Sequence, residues 1–145
     1  MRKSRFNEEQ IEPSHFACGN VSTMSNCPFC QPQENILAEN EFALAIAAKH
    51  PLSQGHCLVV PNQHISSIFD LPLEEYAECF QLVRTVKMEL DNRHSPAGFN
   101  LSVNNGRVAG QTVERAHIHV VPRYEGDLLK LNGLLREALP GPGWT

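Results

Sequence analysis

"GQTVERAHIHVVPR", residues Gly110 to Arg123, alternates between apolar and polar side chains from Arg115 onward. A strand sends successive side chains to opposite faces. Ala116, Ile118 and Val120 then point one way, into a core, and Arg115, His117 and His119 point the other way. Two imidazoles stand side by side, with a guanidinium next in line. The chain holds seven histidines in 145 residues, and this segment alone carries two at strand spacing.

The residues leading into the segment add chemistry to it. "NNGRVAGQT" (104–112) is a glycine-rich loop. Such a loop lets backbone N–H groups approach an anion, and Asn, Gln and Thr side chains add neutral donors. A histidine beside a phosphate cradle suits nucleophilic attack on phosphorus. Neutral imidazole attacks through one nitrogen when the other gives its proton to a fixed acceptor, such as a backbone carbonyl. Taken in isolation, the pair reads first as exposed cross-strand polar residues and next as two zinc ligands. Zinc needs a third donor, which Arg115 cannot be because its guanidinium stays protonated.

Working outward, "NILAENEFALAIAAKHP" (35–51) reads as a hairpin, Ile36–Ala38 and Phe42–Ala47 about a turn at Glu39–Glu41. "SQGHCLVVPNQH" (53–64) places a turn at Gly55 and a strand over His56–Val60, stopped by Pro61. "FDLPLEEYAECFQLVRTVKMELDNRH" (69–94) is the best helix: Pro72 suits the first turn, and Glu74 and Glu75 favour the positive end of the dipole. Leu73, Tyr76, Phe80, Val83 and Leu90 recur at helical steps and predict its core-facing stripe. "FNLSVNNG" (99–106) reads as a strand ending in an Asn105–Gly106 turn, and "TVERAHIHVVPR" (112–123) as the last strand. Asp127–Ala138 predicts a short amphipathic helix, closed by "LPGPG". The sum is α+β, mostly short antiparallel strands with one long and one short helix. Residues 1–26 are polar and lack periodicity, and are expected to form a flexible arm ahead of one domain over 27–145.

Composition narrows the function. The net charge of −4 argues against a nucleic-acid partner, which needs a clustered basic face, but leaves room for a small anionic ligand. No apolar run reaches the ~20 residues that span a bilayer, so no membrane partner is expected. The first residues lack the apolar core of a signal peptide, and five cysteines make an odd count. Both favour a reduced, cytoplasmic setting over a disulfide framework.

Taken in order and spacing, these blocks resemble the histidine-triad (HIT) family of nucleotide hydrolases and transferases over roughly residues 27–127. Its signature G-Q-x-V-x-H-x-H-x-H-x-x-P-R is met by "GQTVERAHIHVVPR" except at Arg115; "SQGHCLVVPNQH" and "AENEFALAI" (38–46) match two further blocks. The resemblance implies a HIT-like antiparallel sheet of about five strands and a homodimer built on the long helix and a strand. It implies that His117 is the nucleophile toward a nucleotide α-phosphate, giving a nucleotidyl-histidine that water hydrolyses. His119 would hold the phosphate oxygens or steady the leaving group, and His56 would brace the network. Asn104, Gly110, Gln111 and Thr112 would serve the phosphate chain, and Phe29 and Ile46 the base pocket. Dinucleoside polyphosphates and nucleoside phosphoramidates are the implied substrates. A non-hydrolysing nucleotide-binding module and a nucleotidyl transferase are the alternatives.

Two departures qualify the resemblance. Position 115 supplies the nucleophile with its backbone carbonyl in this family, so Arg115 leaves that contribution intact. Ala48 stands where many members bind ribose through Asp or Asn, which loosens the expected nucleoside preference. Cys27, Cys30 and His64 match three ligands of a structural zinc site found in part of the family, with Arg115 in the place of the fourth. Two readings stay open: a zinc ion completed by water, Cys18 or His15, or buried cysteines without metal.

Overall fold

The computed structural model describes residues 27–31 and 33–127. The expected arm and the helix expected over 127–138 lie outside these residues, apart from Asp127. The described elements are β1 (Ile36–Glu39), β2 (Ala43–Ala47), β3 (Cys57–Pro61), α1 (Leu73–His94), β4 (Gly98–Ser102) and β5 (Ile118–Arg123), with 3-10 turns at Ile68–Asp70 and Arg107–Ala109. The five strands form one antiparallel sheet in the order β1-β2-β3-β5-β4. The expected α+β architecture is present, and β5 lies inside the sheet between β3 and β4.

Period-two patterning divides the sheet into two faces. Ala43, Ala45, Cys57, Val59, Ile118 and Val120 face α1 and join Cys79, Leu82, Val83, Val86 and Leu90 in the main core. Leu44, Ile46, Leu58 and Val60 form a second cluster on the other face with Cys27 and Phe29. The helix therefore covers one face, and the short "CPFC" turn covers part of the other.

The stripe expected on α1 is corrected in part: Tyr76, Val83 and Leu90 face the core as expected, and Leu73 and Phe80 do not. Leu73 is 83% exposed and Phe80 38% exposed, whereas Cys79, Leu82 and Val86 are buried. At roughly 100° per residue, Leu73 and Phe80 sit about a quarter-turn or more from the centre of the buried face. The expected stripe was thus rotated toward one flank of the true one. The capping logic holds: Glu74 and Glu75 lie in the first turn, Arg93 and His94 in the last, and Ser95 ends the helix in the left-handed region at φ 48°.

The strand ends also differ from expectation. β5 begins at Ile118, not Thr112. Before it, the Ala116 N–H donates to the Ile65 carbonyl at 2.7 Å, so this stretch is pinned to the linker after β3 rather than to a strand partner. β2 begins at Ala43 because the Asn40 side chain accepts from the Phe42 and Ala43 N–H groups and makes the turn itself. Pro61 closes β3 as its last residue. Gly55 has φ +85°, and a Cβ there would lie 3.0 Å from Leu90 Cδ2 and 3.2 Å from Pro122 Cγ. Only glycine suits both the backbone and the space just before His56.

Candidate functional site

His119 lies on β5 opposite Leu58 of β3 and Ser102 of β4. It therefore stands on the face away from α1, as alternation requires. His117 is 7% exposed, and its ring centroid is 4.9 Å from that of His119, edge to face. Phe29 meets His117 edge-on at 5.3 Å. Phe29 and Ile46 share the second apolar cluster with Leu44 and Leu58, and Ala48 and Val113 pack against it. Of the two residues expected at a base pocket, Phe29 thus touches His117 and Ile46 shares its cluster. Leu58 and Val113 were missed, because a single apolar letter in a strand or loop carries no mark of which face it serves.

Hydrogen bonds fix the protons of this histidine row. His117 Nδ1 is 2.8 Å from the Arg115 carbonyl, which can only accept. Nδ1 thus carries the proton, and Nε2 of neutral His117 keeps its lone pair. The Leu52 N–H donates to His56 Nδ1 at 3.1 Å, so neutral His56 carries its proton on Nε2. His56 Nε2 lies 3.1 Å from His119 Nδ1, which becomes the acceptor. Neutral His119 therefore bears its proton on Nε2. Burial, followed by the neighbouring His117 and His56, pushes the His119 pKa down to about 4, and burial lowers that of His56. The row holds one imidazole with a free lone pair beside another with an N–H to give.

The loop before β5 is braced by its own side chains. Asn104 Nδ2 donates to the Gly110 carbonyl at 3.2 Å. Gln111 accepts from the Gly106 N–H at 2.7 Å and donates to the Ser66 and Glu114 carbonyls. Gly110 takes the left-handed conformation that ends the short 3-10 turn. Thr112 is exposed beside them. Asn104, Gly110 and Gln111 thus give the loop its shape.

Cys27, Cys30 and His64 come together as expected, their ligand atoms all within 4.8 Å of one another. Cys30 Sγ lies 3.0 Å from His64 Nδ1. Arg115 is 1% exposed and reaches the same corner. Its Nη1 donates to Cys30 Sγ at 3.2 Å and to the Phe29 carbonyl at 3.1 Å; its Nη2 donates to the Pro61 and Asn62 carbonyls at 2.7 and 3.2 Å. A structural zinc asks for four donors. The described residues offer three, and the fourth side is a cation that cannot ligate. Burial, and then the Arg115 charge, lowers the His64 pKa. The donor set does not fit a closed four-ligand zinc site.

The sequence profile of the HIT domain matches residues 31–126. The chain belongs to the HIT family. An uncharacterized HIT-like protein of Methanocaldococcus jannaschii is 36% identical over 106 residues, spanning 70% of this chain and 81% of that one. HIT relatives named for an activity include an adenosine 5'-monophosphoramidase of Schizosaccharomyces pombe, 36% identical over 60% of this chain and 62% of its own. A bis(5'-adenosyl)-triphosphatase of Dictyostelium discoideum is 29% identical over 69% and 67%. Among solved HIT structures, a family protein from Bacillus anthracis superposes with a TM-score of 0.67 at 34% identity, covering 76% of this chain and 85% of that one. A zinc-bound histidine-triad protein from Mycobacterium smegmatis gives 0.59 at 34%, covering 64% and 68%.

Proposed function

We propose that this HIT protein is a nucleotide hydrolase that cleaves at the α-phosphate of nucleoside phosphoramidates or dinucleoside polyphosphates. The observation that carries the reading is the hydrogen bond from His117 Nδ1 to the Arg115 carbonyl. It leaves Nε2 as the nucleophile and disperses the positive charge that develops on the ring during attack. In the first step, Nε2 forms a bond to the α-phosphorus as the bond to the leaving group breaks. The electron pair goes to the leaving nitrogen or oxygen, to which the His119 Nε2–H donates a hydrogen bond, and solvent supplies any proton the leaving group takes up. His56 holds His119 in that tautomer through the hydrogen bond between their rings. In the second step, water attacks the α-phosphorus of nucleotidyl-His117, the P–Nε2 bond breaks with its electron pair returning to His117, and the nucleoside monophosphate leaves as the water's proton passes to solvent.

The cluster around Phe29, Ile46 and Leu58 supports a base held by stacking and shape, and the braced 104–112 loop supports backbone N–H groups aimed at phosphate. The activities named for the Schizosaccharomyces and Dictyostelium relatives fall in the same class. A homodimer is part of the proposal. β4 is an edge strand carrying Leu101 at 54% exposure, and Met88 of α1 is 59% exposed. Among the described residues no helix is long and apolar enough to cross a membrane. We place the protein in the cytoplasm on the strength of its cysteine usage.

The direct test is an acid quench during turnover of adenosine 5'-phosphoramidate, followed by intact-mass analysis. A transient adduct of one nucleotidyl group, absent in His117→Ala, is expected. Equal turnover by wild type and His117→Ala overturns the mechanism. Nucleotide binding without any turnover overturns the hydrolase and leaves a binding module.

A further inference from the structure

We infer that in this chain the Arg115 guanidinium takes the place of the metal ion, so that the corner beside the catalytic row is held by an internal cation and needs no zinc. The charge balance favours this. A zinc site neutralises two thiolates with a divalent ion, and its value to the fold is to tie separate segments to one point. Arg115 ties the same segments. One nitrogen holds Cys30 Sγ and the Phe29 carbonyl, and the other holds the carbonyls of Pro61 and Asn62 at the end of β3. The planar fork matches acceptors arriving from two directions, which the point charge of a lysine would not.

Geometry points the same way. Cys30 Sγ and His64 Nδ1 are 3.0 Å apart, a hydrogen-bonding distance. Two ligand atoms on one tetrahedral zinc would be separated by about 3.5 Å, given metal–ligand bonds of about 2.3 and 2.0 Å. The thiol and the imidazole are bonded to each other, and the guanidinium closes the side where a fourth ligand would stand. Placing zinc here would set a divalent ion against a buried, permanently charged arginine.

Arg115 is in consequence a positioning residue with two separate duties. Its carbonyl orients His117, and its side chain fixes the position of that carbonyl relative to Phe29 and β3. A metal does not do the second duty, so chelators should be without effect on this protein.

The test is metal content and metal-linked stability, which do not depend on turnover and therefore stand apart from the hydrolase reading. Wild-type protein produced with added zinc should contain far less than one zinc per chain by mass spectrometry, and EDTA should leave its Tm unchanged. About one tightly held zinc per chain, lost to EDTA with a fall in Tm, overturns the inference. Arg115→His supplies the fourth donor. It should bind Co2+ with the intense visible bands of a tetrahedral thiolate site and acquire an EDTA-sensitive Tm, whereas wild type shows neither. A folded Arg115→His protein without those bands also overturns the inference. Should that variant fail to fold, Arg115→Met decides: deleting the fork at similar length should lower Tm by on the order of 10 °C. An unchanged Tm for it means that the guanidinium is not the strut.

Discussion

Two regions meet at Arg115 and work by opposite means. On one side, His56, His119 and His117 form a row in which everything depends on where a proton sits. On the other, Cys27, Cys30 and His64 surround a guanidinium whose protons never leave. Burial favours the neutral form of His56 and His119. The corner is kept charged, and its charge is satisfied by carbonyls and sulfur, which makes it inert. Phe29 belongs to both: its ring lies against His117 and its carbonyl receives Arg115. The contrast teaches that a buried polar cluster reads as chemistry or as architecture according to whether its protons can move.

That contrast can be broken from either side. The largest effect is expected for His117→Ala, which removes the proposed nucleophile. Turnover of a phosphoramidate should fall by roughly 10³-fold or more, with Tm changed by only a few degrees. A residual rate near that of wild type would erase the distinction between the two regions. His56→Ala comes next. It deletes the donor to His119 Nδ1 and should lower kcat by about 10- to 100-fold, with a smaller change in KM. If KM alone moved, His56 would be shaping the pocket rather than the proton.

Cys30→Ala tests the inert side. It removes one acceptor from Arg115 while three carbonyls remain, so the expected loss is about 1 kcal/mol of stability and less than about a threefold loss in kcat/KM. A collapse of activity with the fold intact would show that the corner is more than a strut. A further effect is in pH. The folded-state pKa of His119 is pushed from 6.5 down to about 4, so between these values the unfolded chain binds a proton that the folded chain refuses. The stability held above pH 6.5 should therefore decline as pH falls toward about 4. Thermal melts in the presence of 0.1 M salt, chosen to screen exposed pairs to about a 10 Å range, should show this, and His119→Gln should flatten it.

Much of this was legible in the chain. The alternation at 116–120 put His117 and His119 on one face, although β5 itself begins at Ile118, and a one-residue slip of β5 would turn His119 toward Cys57 and Val59 in the core. Gly55 before His56 was legible as a turn, though its crowding by Leu90 and Pro122 was not. The helix stripe failed at Leu73 and Phe80 for a definite reason. Large apolar side chains drew the reading, while Cys79 and Leu82 on the opposite flank carry the core. The start of β5 was overextended because alternation in "TVERAH" says nothing of Ile65, which takes the Ala116 N–H from the strand ladder. Arg115 was visible as an oddity but not as a strut, since its acceptors at Phe29, Pro61 and Asn62 lie 86, 54 and 53 residues away. No local pattern encodes four acceptors gathered from distant turns.

The hydrogen bond between His117 and the Arg115 carbonyl has a practical consequence for how such chains are recognised. Every amino acid carries that oxygen. A search that demands three imidazoles tests a side chain at 115, whereas the contact with His117 tests only the course of the main chain. Sorting chains by whether positions 117 and 119 are histidines, and by which residue stands at 115 beside Cys30, would separate loss of the histidine row from a change of cation in the wall that supports it.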